Sequence, residues 1–417
     1  MSRSLDDLLR KTLPKPRLDL IHRVADEASR FGFPIYIVGG FVRDLLLSRP
    51  VNDFDIVIEG DAIKLARALT KADSGKVTTH PKFGTASWTF EDSAIDLITA
   101  RSETYQHPGA LPTVKFSTID DDLRRRDFTI NAMALRLDGD HFGELLDPLN
   151  GQEDLKAQRV RVLHSRSFVD DPTRMLRSVR YALRYGFKIS PDTLKLIGDE
   201  SRAVLKKLSG ERLRHEFDLI FEEDKPSEIL AKLAELDLLK SVHFLLSKLS
   251  PQLPSVFEPQ AEWGEFKVAN ILSIRQMLGW LLWLAPLDKD EVESVSTRLV
   301  FPAALTKSVH AASALFAALP TLSFTKPSQW TFYLDDFPKL SVYAVYLKSN
   351  RSELKGYLSK WQFIRPLITG DDLNVRGVKP GPEYQKILSR LRAAWLDGDI
   401  RTQEQEMILL DNFLMEK

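Results

Sequence analysis

The chain has 417 residues, 43% hydrophobic and 28% charged, the composition of a globular protein too long for one ordinary core and sufficient for about two to four domains. Lysine plus arginine equals aspartate plus glutamate at 58 each, so net charge favours no partner, and any nucleic-acid contact must come from local basic patches. There are no cysteines, which excludes disulfides, thiolate metal sites and thiol nucleophiles. No run approaches the roughly 18 apolar residues of a membrane span. Residues 1–10 mix Asp6, Asp7 and Arg10 with leucines and lack a secretion signal's apolar core, so a cytoplasmic, non-membrane protein is expected.

Along the chain, residues 35–39 (Ile-Tyr-Ile-Val-Gly) read as a short buried strand ending in a glycine turn, and Phe41 to Leu47 as the helix that follows. Val51 to Ile58 reads as a second strand, then come a helix over 62–70 and strands near 85–89 and 94–99. Residues 129–137 continue the α/β pattern, which closes near Asp147-Pro148-Leu149-Asn150-Gly151. Beyond this the strand signals fade. Helical periodicity predicts helices over 171–185, 191–208, 210–221, 226–236 and 384–397, and the apolar stretch 277–286 with Trp280 and Trp283 reads as a buried helix. Prolines at 251–259 and 380–382 mark soft boundaries.

Gly39-Gly40 between a strand and a helix lets backbone amides approach phosphate oxygens with no Cβ in the way. Such a turn is also an ordinary structural feature. Arg43 adds a fixed positive charge, which either a triphosphate or the neighbouring Asp44 could claim. Asp53-Phe54-Asp55 is the sharper signal: residues two apart on a strand share a face, so both carboxylates can hold hard divalent ions side by side. Two such ions roughly 3.5–4 Å apart activate an attacking hydroxyl and stabilise a leaving pyrophosphate. Asp96, in the strand over 94–99, is either a third carboxylate or a surface aspartate.

In Arg124-Arg125-Arg126-Asp127-Phe128-Thr129-Ile130-Asn131 the arginines could neutralise phosphate oxygens, while Asp127 and Asn131 could hydrogen-bond a ribose. A solvated charge run is the bland alternative. In Asp170-Asp171-Pro172-Thr173-Arg174 and onward, Asp171 and Arg174 lie on one helix face, which Arg177 and Arg180 continue. Spacing alone favours an N-capping aspartate with a basic stripe.

Together these four motifs resemble the class II tRNA nucleotidyltransferase and poly(A) polymerase family, in its order and spacing, over about the first 220 residues. The resemblance implies an α+β fold: a nucleotidyltransferase head with a mixed sheet over 1–150, then an all-helical neck (151–222), body (223–300) and tRNA-binding tail (301–417). It implies that Gly40 and Arg43 face the triphosphate, that Asp53 and Asp55 hold Mg2+, and that Arg125, Arg126 and Asp127 bind phosphate and sugar; Gly39, Asp96 and Asn131 are the candidates that the residues themselves add. Asp171 and Arg174 become a protein template for the base, Arg177 and Arg180 remain nucleotide-binding candidates from their spacing, and Gly210-Glu211-Arg212-Leu213 resembles a motif that steadies the neck.

The template idea is physically sound. Cytosine and adenine both present an amino donor beside a ring acceptor. A carboxylate and a guanidinium match that pair and mismatch uracil and guanine, and leaving buried polar groups unmatched can reject a substrate by about 10⁴ or more. The resemblance therefore implies an enzyme adding CCA to a tRNA 3′ end from CTP and ATP, gripping the acceptor arm through basic residues such as Lys206, Lys207 and Arg214. An enzyme adding only A, one adding only CC, a bacterial poly(A) polymerase and a non-catalytic RNA-binding relative are the alternatives. The segment 103–118, with Tyr105, His107-Pro108-Gly109 and Pro112, lies where the family carries a loop linked to adenosine addition and argues against a CC-only enzyme. No His-Asp dipeptide occurs, so a fused phosphohydrolase domain is not expected.

Overall fold

The computed structural model describes residues 4–51, 54–73, 75–81, 84–90, 93–254 and 272–415. Two helices, α1 (Asp6–Thr12) and α2 (Lys15–Arg30), precede β1 (Ile35–Val38), α3 (Gly40–Leu46), β2 (Asp55–Ile58), α4 (Ala62–Asp73), β3 (Lys76–His80), β4 (Thr85–Phe90) and β5 (Ser93–Thr99). A hairpin of β6 (Arg101–Thr104) and β7 (Thr113–Phe116) leads to α5 (Ile119–Arg124), β8 (Ala134–Arg136) and β9 (Leu145–Leu146).

Seven strands form one mixed sheet in the order β3-β4-β5-β2-β1-β8-β9. Within it β2 and β5 run parallel and the other pairs antiparallel. β1 lies inside the sheet and all four of its residues are buried, which is why an unbroken apolar run encodes it. α5 packs on one face through Ile119 and Leu123, which join Tyr36, Val38, Val57, Ala100 and Ala134 in a core cluster.

The next elements are α6 (Gly151–Lys156), β10 (Arg159–Val160), α7 (Ser167–Asp170), α8 (Thr173–Tyr185), β11 (Lys188–Ile189), α9 (Pro191–Lys195) and α10 (Asp199–Lys207). Three sequence expectations are corrected here. The single helix expected over 191–208 is two, because the chain leaves helical geometry at Gly198, whose N–H donates to Ser201 Oγ at the start of α10. The stretch 129–137 divides into a 3-10 turn (Thr129–Asn131) and the short β8. The strand expected from Val51 starts at Asp55 among the described residues; Asn52 and Asp53 lie outside them.

The helical remainder runs through α11 (Gly210–Phe221), α12 (Pro226–Glu235), α13 (Leu238–Val242), α14 (Ile274–Leu284), α15 (Lys289–Leu299), α16 (Ala303–Ala318), α17 (Pro327–Leu334), α18 (Lys339–Ser349), α19 (Ser352–Ser359), α20 (Gly370–Val375), α21 (Pro382–Asp397) and α22 (Gln403–Met415). The chain divides into two compact units, residues 1–208 with 235–242, and 209–234 with 243–417. In the second, Trp280 and Trp283 of α14 are buried against Phe217 and Phe221 of α11, and Trp280 Nε1 donates to Asp218 Oδ1 at 2.7 Å. A smaller core of Ile368, Leu373, Ile387, Leu391 and Leu410 joins α20, α21 and α22. Among the described residues no helix is long and apolar enough to cross a membrane.

Candidate active site

β1 ends in Gly39, whose φ of +68° a residue with a Cβ adopts only under strain. A Cβ there would also lie 2.5 Å from Arg126 Nη1. The bare backbone thus makes room for a guanidinium, and Gly40 opens α3 behind it. One turn on, Arg43 is buried, chelating Asp44 through Nε and Nη2 at 3.0 and 2.8 Å and donating through Nη1 to Asn131 Oδ1. The rings of Tyr185 and Tyr181 lie 4.6 and 5.4 Å from its Cζ. Burial alone would lower the pKa of Arg43, but its hydrogen bonds to Asp44, together with the electrostatic attraction of Tyr185, Asp44 and Tyr181, more than reverse that and hold the charge in place.

Asn131 passes the linkage on. Its Nδ2 donates to Asp127 Oδ1 at 2.9 Å, which also accepts the Phe128 N–H at 2.8 Å. Asp127 Oδ2 accepts Nε and Nη2 of Arg177 at 2.9 and 2.6 Å. Burial pushes the Asp127 carboxyl up, and Arg177, Asn131 and Arg174 more than reverse this, holding it below its ordinary value.

α8 begins at Thr173 behind Pro172, and Asp171 Oδ1 accepts the Thr173 N–H and hydroxyl at 3.1 and 2.7 Å. Arg174 is buried and donates to Ser167 Oγ at 2.8 Å and to the carbonyl of Arg125 at 2.9 Å. These side chains meet around a cleft of about 460 Å³ lined by Gly40, Arg43, Arg125, Arg126, Asp127, Asn131, Asp171, Arg174 and Arg177, with Glu103, Tyr105, Pro112, Tyr181 and Arg184. Six guanidiniums face three carboxylates there, so the cleft favours a polyanion.

Two of the residues expected to bind the nucleotide do not line the cleft. Gly39 lies behind Arg126, and Arg180 is buried with its Cζ 5.2 Å from the Tyr181 ring. Sequence reasoning passed over Glu103, Tyr181 and Arg184 as site residues. Glu103 Oε1 accepts Arg125 Nη1 at 2.9 Å and its Oε2 accepts the Tyr105 hydroxyl at 3.2 Å. Burial pushes the Tyr105 phenol up to about 12, so it stays a neutral donor. The hairpin that carries Tyr105 is tied down at its tip, where the Gly109 N–H reaches the carbonyls of Val169 and Asp170.

The carboxylate strands lie on the sheet itself. Asp55 and Asp96 are exposed, do not line the cleft, and stand directly opposite each other on the parallel strands β2 and β5. Both side chains therefore leave the same face. Asp55 lies one residue before the Ile37–Ile56 pair, beside the end of β1 from which Gly39 and Gly40 follow. Two carboxylates facing solvent side by side are the donor set that hard divalent cations take; Asp53, expected to join them, lies outside the described residues.

Residues 35–161 match the family described as Poly A polymerase head domain, and residues 186–248 that described as Probable RNA and SrmB-binding site of polymerase A. Over 97% of its length the chain is 33% identical to the A-adding tRNA nucleotidyltransferase of Geobacter sulfurreducens, of whose length it spans about half, 48%. It is 31% identical to the A-adding tRNA nucleotidyltransferase of Halalkalibacterium halodurans, covering 100% of this chain and 97% of that one. Among solved structures, the apo form II of a CCA-adding enzyme is similar with a TM-score of 0.80 at 30% identity, covering 100% of this chain and 99% of that one. The chain belongs to the tRNA nucleotidyltransferase family, whose head domain is shared with poly(A) polymerases.

Proposed function

We propose that this chain transfers CMP and AMP units from CTP and ATP to the 3′ end of a tRNA, completing its CCA terminus. The terminal hydroxyl oxygen loses its proton to solvent and bonds to the α-phosphorus, the bond from that phosphorus to the bridging oxygen breaks, and pyrophosphate leaves. The observation that carries this reading is the convergence in one cleft of a cationic wall, Arg43, Arg125, Arg126 and Arg177, with Asp171 and Arg174. The wall neutralises the triphosphate. Asp127 and Asn131, already joined by a hydrogen bond, face the sugar. Asp171 accepts the amino proton of cytosine or adenine and Arg174, held rigid by Ser167 and the Arg125 carbonyl, donates to the ring nitrogen.

Asp55 and Asp96, with Asp53, would hold Mg2+, which when bound supplies charge stabilisation to the attacking and leaving oxygens. The chain's own contribution is two carboxylates fixed in register by the β2–β5 ladder. In this reading residues 1–150 are the catalytic head, 151–222 the neck carrying the template helix, and 223–417 the body and tail that hold the tRNA. A second reading, addition of the terminal A alone, is favoured by the names of the two relatives described above.

The test uses tRNA transcripts ending before the CCA, after one C and after two, each with one labelled triphosphate. Full CCA addition predicts label from CTP on the first two and from ATP on the third, all lost in Asp55→Ala. Label from ATP on the third transcript alone would replace the first reading by the second, and no transfer to any of them would overturn both.

A further inference from the structure

Asp122 does not itself line the cleft, yet two arginines that do are fastened to this one carboxylate. It lies on α5 and is fully buried. Its Oδ1 accepts Nε and Nη2 of Arg125 at 3.0 and 2.7 Å and the Arg101 backbone N–H at 3.4 Å. Its Oδ2 accepts Nη2 of Arg126 at 2.9 Å. α5 ends at Arg124, so no helical surface beyond it orients the two long side chains. The spacing of three and four residues brings both guanidiniums back onto the carboxylate one turn earlier. Glu103 closes the other side by accepting Arg125 Nη1 at 2.9 Å. Arg125 thus commits three of its five N–H donors to the protein.

We infer that Asp122 is a positioning residue, aiming the guanidiniums of Arg125 and Arg126 at the incoming triphosphate before it arrives; this rests on the proposed reading of the cleft. Two adjacent guanidiniums repel, and a buried carboxylate between them turns that repulsion into a fixed fork. Burial works against ionisation of Asp122, but Arg126 and Arg125 reverse this and keep the carboxyl below its ordinary value, so the fork is charged throughout the neutral range. Charge and aim make opposite predictions. Removing the carboxylate makes the cleft more positive, which by charge alone tightens triphosphate binding; loss of aim weakens it.

The experiment measures kcat and KM for ATP, CTP and tRNA with wild type and Asp122→Asn, with thermal melts of both. Asp122→Asn should raise the KM of both triphosphates on the order of ten- to a hundred-fold, the range expected for disordering hydrogen bonds to charged groups. The KM for tRNA should stay within about twofold, a split that general damage does not produce. Triphosphate KM values that stay the same or fall in the folded variant would overturn the inference.

Should the variant not fold, NMR of the arginine Nε–H groups in the wild-type chain decides the matter. The signals of Arg125 and Arg126, identified by their loss in Arg125→Lys and Arg126→Lys, should be slowly rotating before ATP is added. Guanidiniums that average freely and order only with ATP would refute the positioning role. Because the NMR readout needs no turnover, a wild-type chain that transfers nothing to tRNA would sink the proposed function and leave this result standing.

Discussion

Asp127 is 9% exposed and holds Arg177, whose side chain keeps 32% of its exposure. Breaking a fully buried pair costs about 3–5 kcal/mol; partial exposure of the arginine screens this one, so Asp127→Asn should cost roughly 2 kcal/mol at neutral pH. The sign with pH follows from the depressed carboxyl. Its folded pKa lies below the ordinary 3.8, so its contribution is complete above the unfolded value and is lost as pH falls through the folded one. The Asp127 contribution to the melting temperature should therefore be constant from pH 8 to about 5 and be lost below about pH 4. Asp122 titrates in the same direction, and the comparison with Asp127→Asn isolates the share of Asp127. That variant should start lower at pH 7 and lose less below pH 4. Parallel curves for the two proteins would show that the pair contributes nothing to acid stability.

The elements that sequence periodicity reveals are those whose burial is one-sided or complete. β1, four buried residues inside the sheet, and α14, with its tryptophans, stand out as apolar runs. β3, at the sheet edge with the sequence Lys-Val-Thr-Thr-His and no fully buried residue, carries no such pattern. The β6–β7 hairpin is equally polar, half-buried or exposed, which hides the role of Glu103. No helix is predicted over α2, although Leu20, Ile21, Val24, Ala25 and Ala28 are all buried along one face, a stripe that helical periodicity carries. The basic stripe of α8 shows how spacing misleads within a correctly read element. A helix turns about 100° per residue, so relative to Arg174 the stripe passes Arg177 at about 60°, Tyr181 at about 20° and Arg184 at about 80°, and leaves Arg180 at about 120°. Steps of three drift off the face; the sequence 3-4-3 stays on it. Arg184 is exposed and lines the cleft, while Arg180 is buried beside Tyr181. Arg184→Ala should therefore raise the triphosphate KM by about tenfold with little change in melting temperature. Arg180→Ala should do the reverse, lowering stability with KM near that of wild type. Steady-state kinetics beside thermal melts check both, and a larger KM effect at Arg180 would mean that the helix presents a different face to the nucleotide.

At the scale of the whole molecule, the division into two units does not follow the chain. It leaves the first unit at Leu208, spends 209–234 in the second, and returns for 235–242 before leaving again. The returning segment is α13, which packs on α10 and buries Leu238, Leu239 and Val242; the Leu236 carbonyl accepts Arg202 Nε of α10 at 3.3 Å. A fragment ending at residue 208 keeps the sheet, the cleft and α8 but uncovers the α10 surface on which α13 packs. Burying one such aliphatic side chain contributes about 1.5–3 kcal/mol, so losing the three removes on the order of 5 kcal/mol, comparable to the total stability of many domains. A fragment ending at 243 keeps α13 but carries α11 without α14, leaving the Phe217 and Phe221 rings without the tryptophans they contact. Neither cut gives a clean head. The shorter fragment should melt well below the full chain, and the longer one should bind a hydrophobic dye and self-associate, as read by thermal melts, dye fluorescence and gel filtration. A 208-residue fragment that melts with the full-length first transition would mean that α13 is dispensable and that the head is an independent folding unit despite the returning segment.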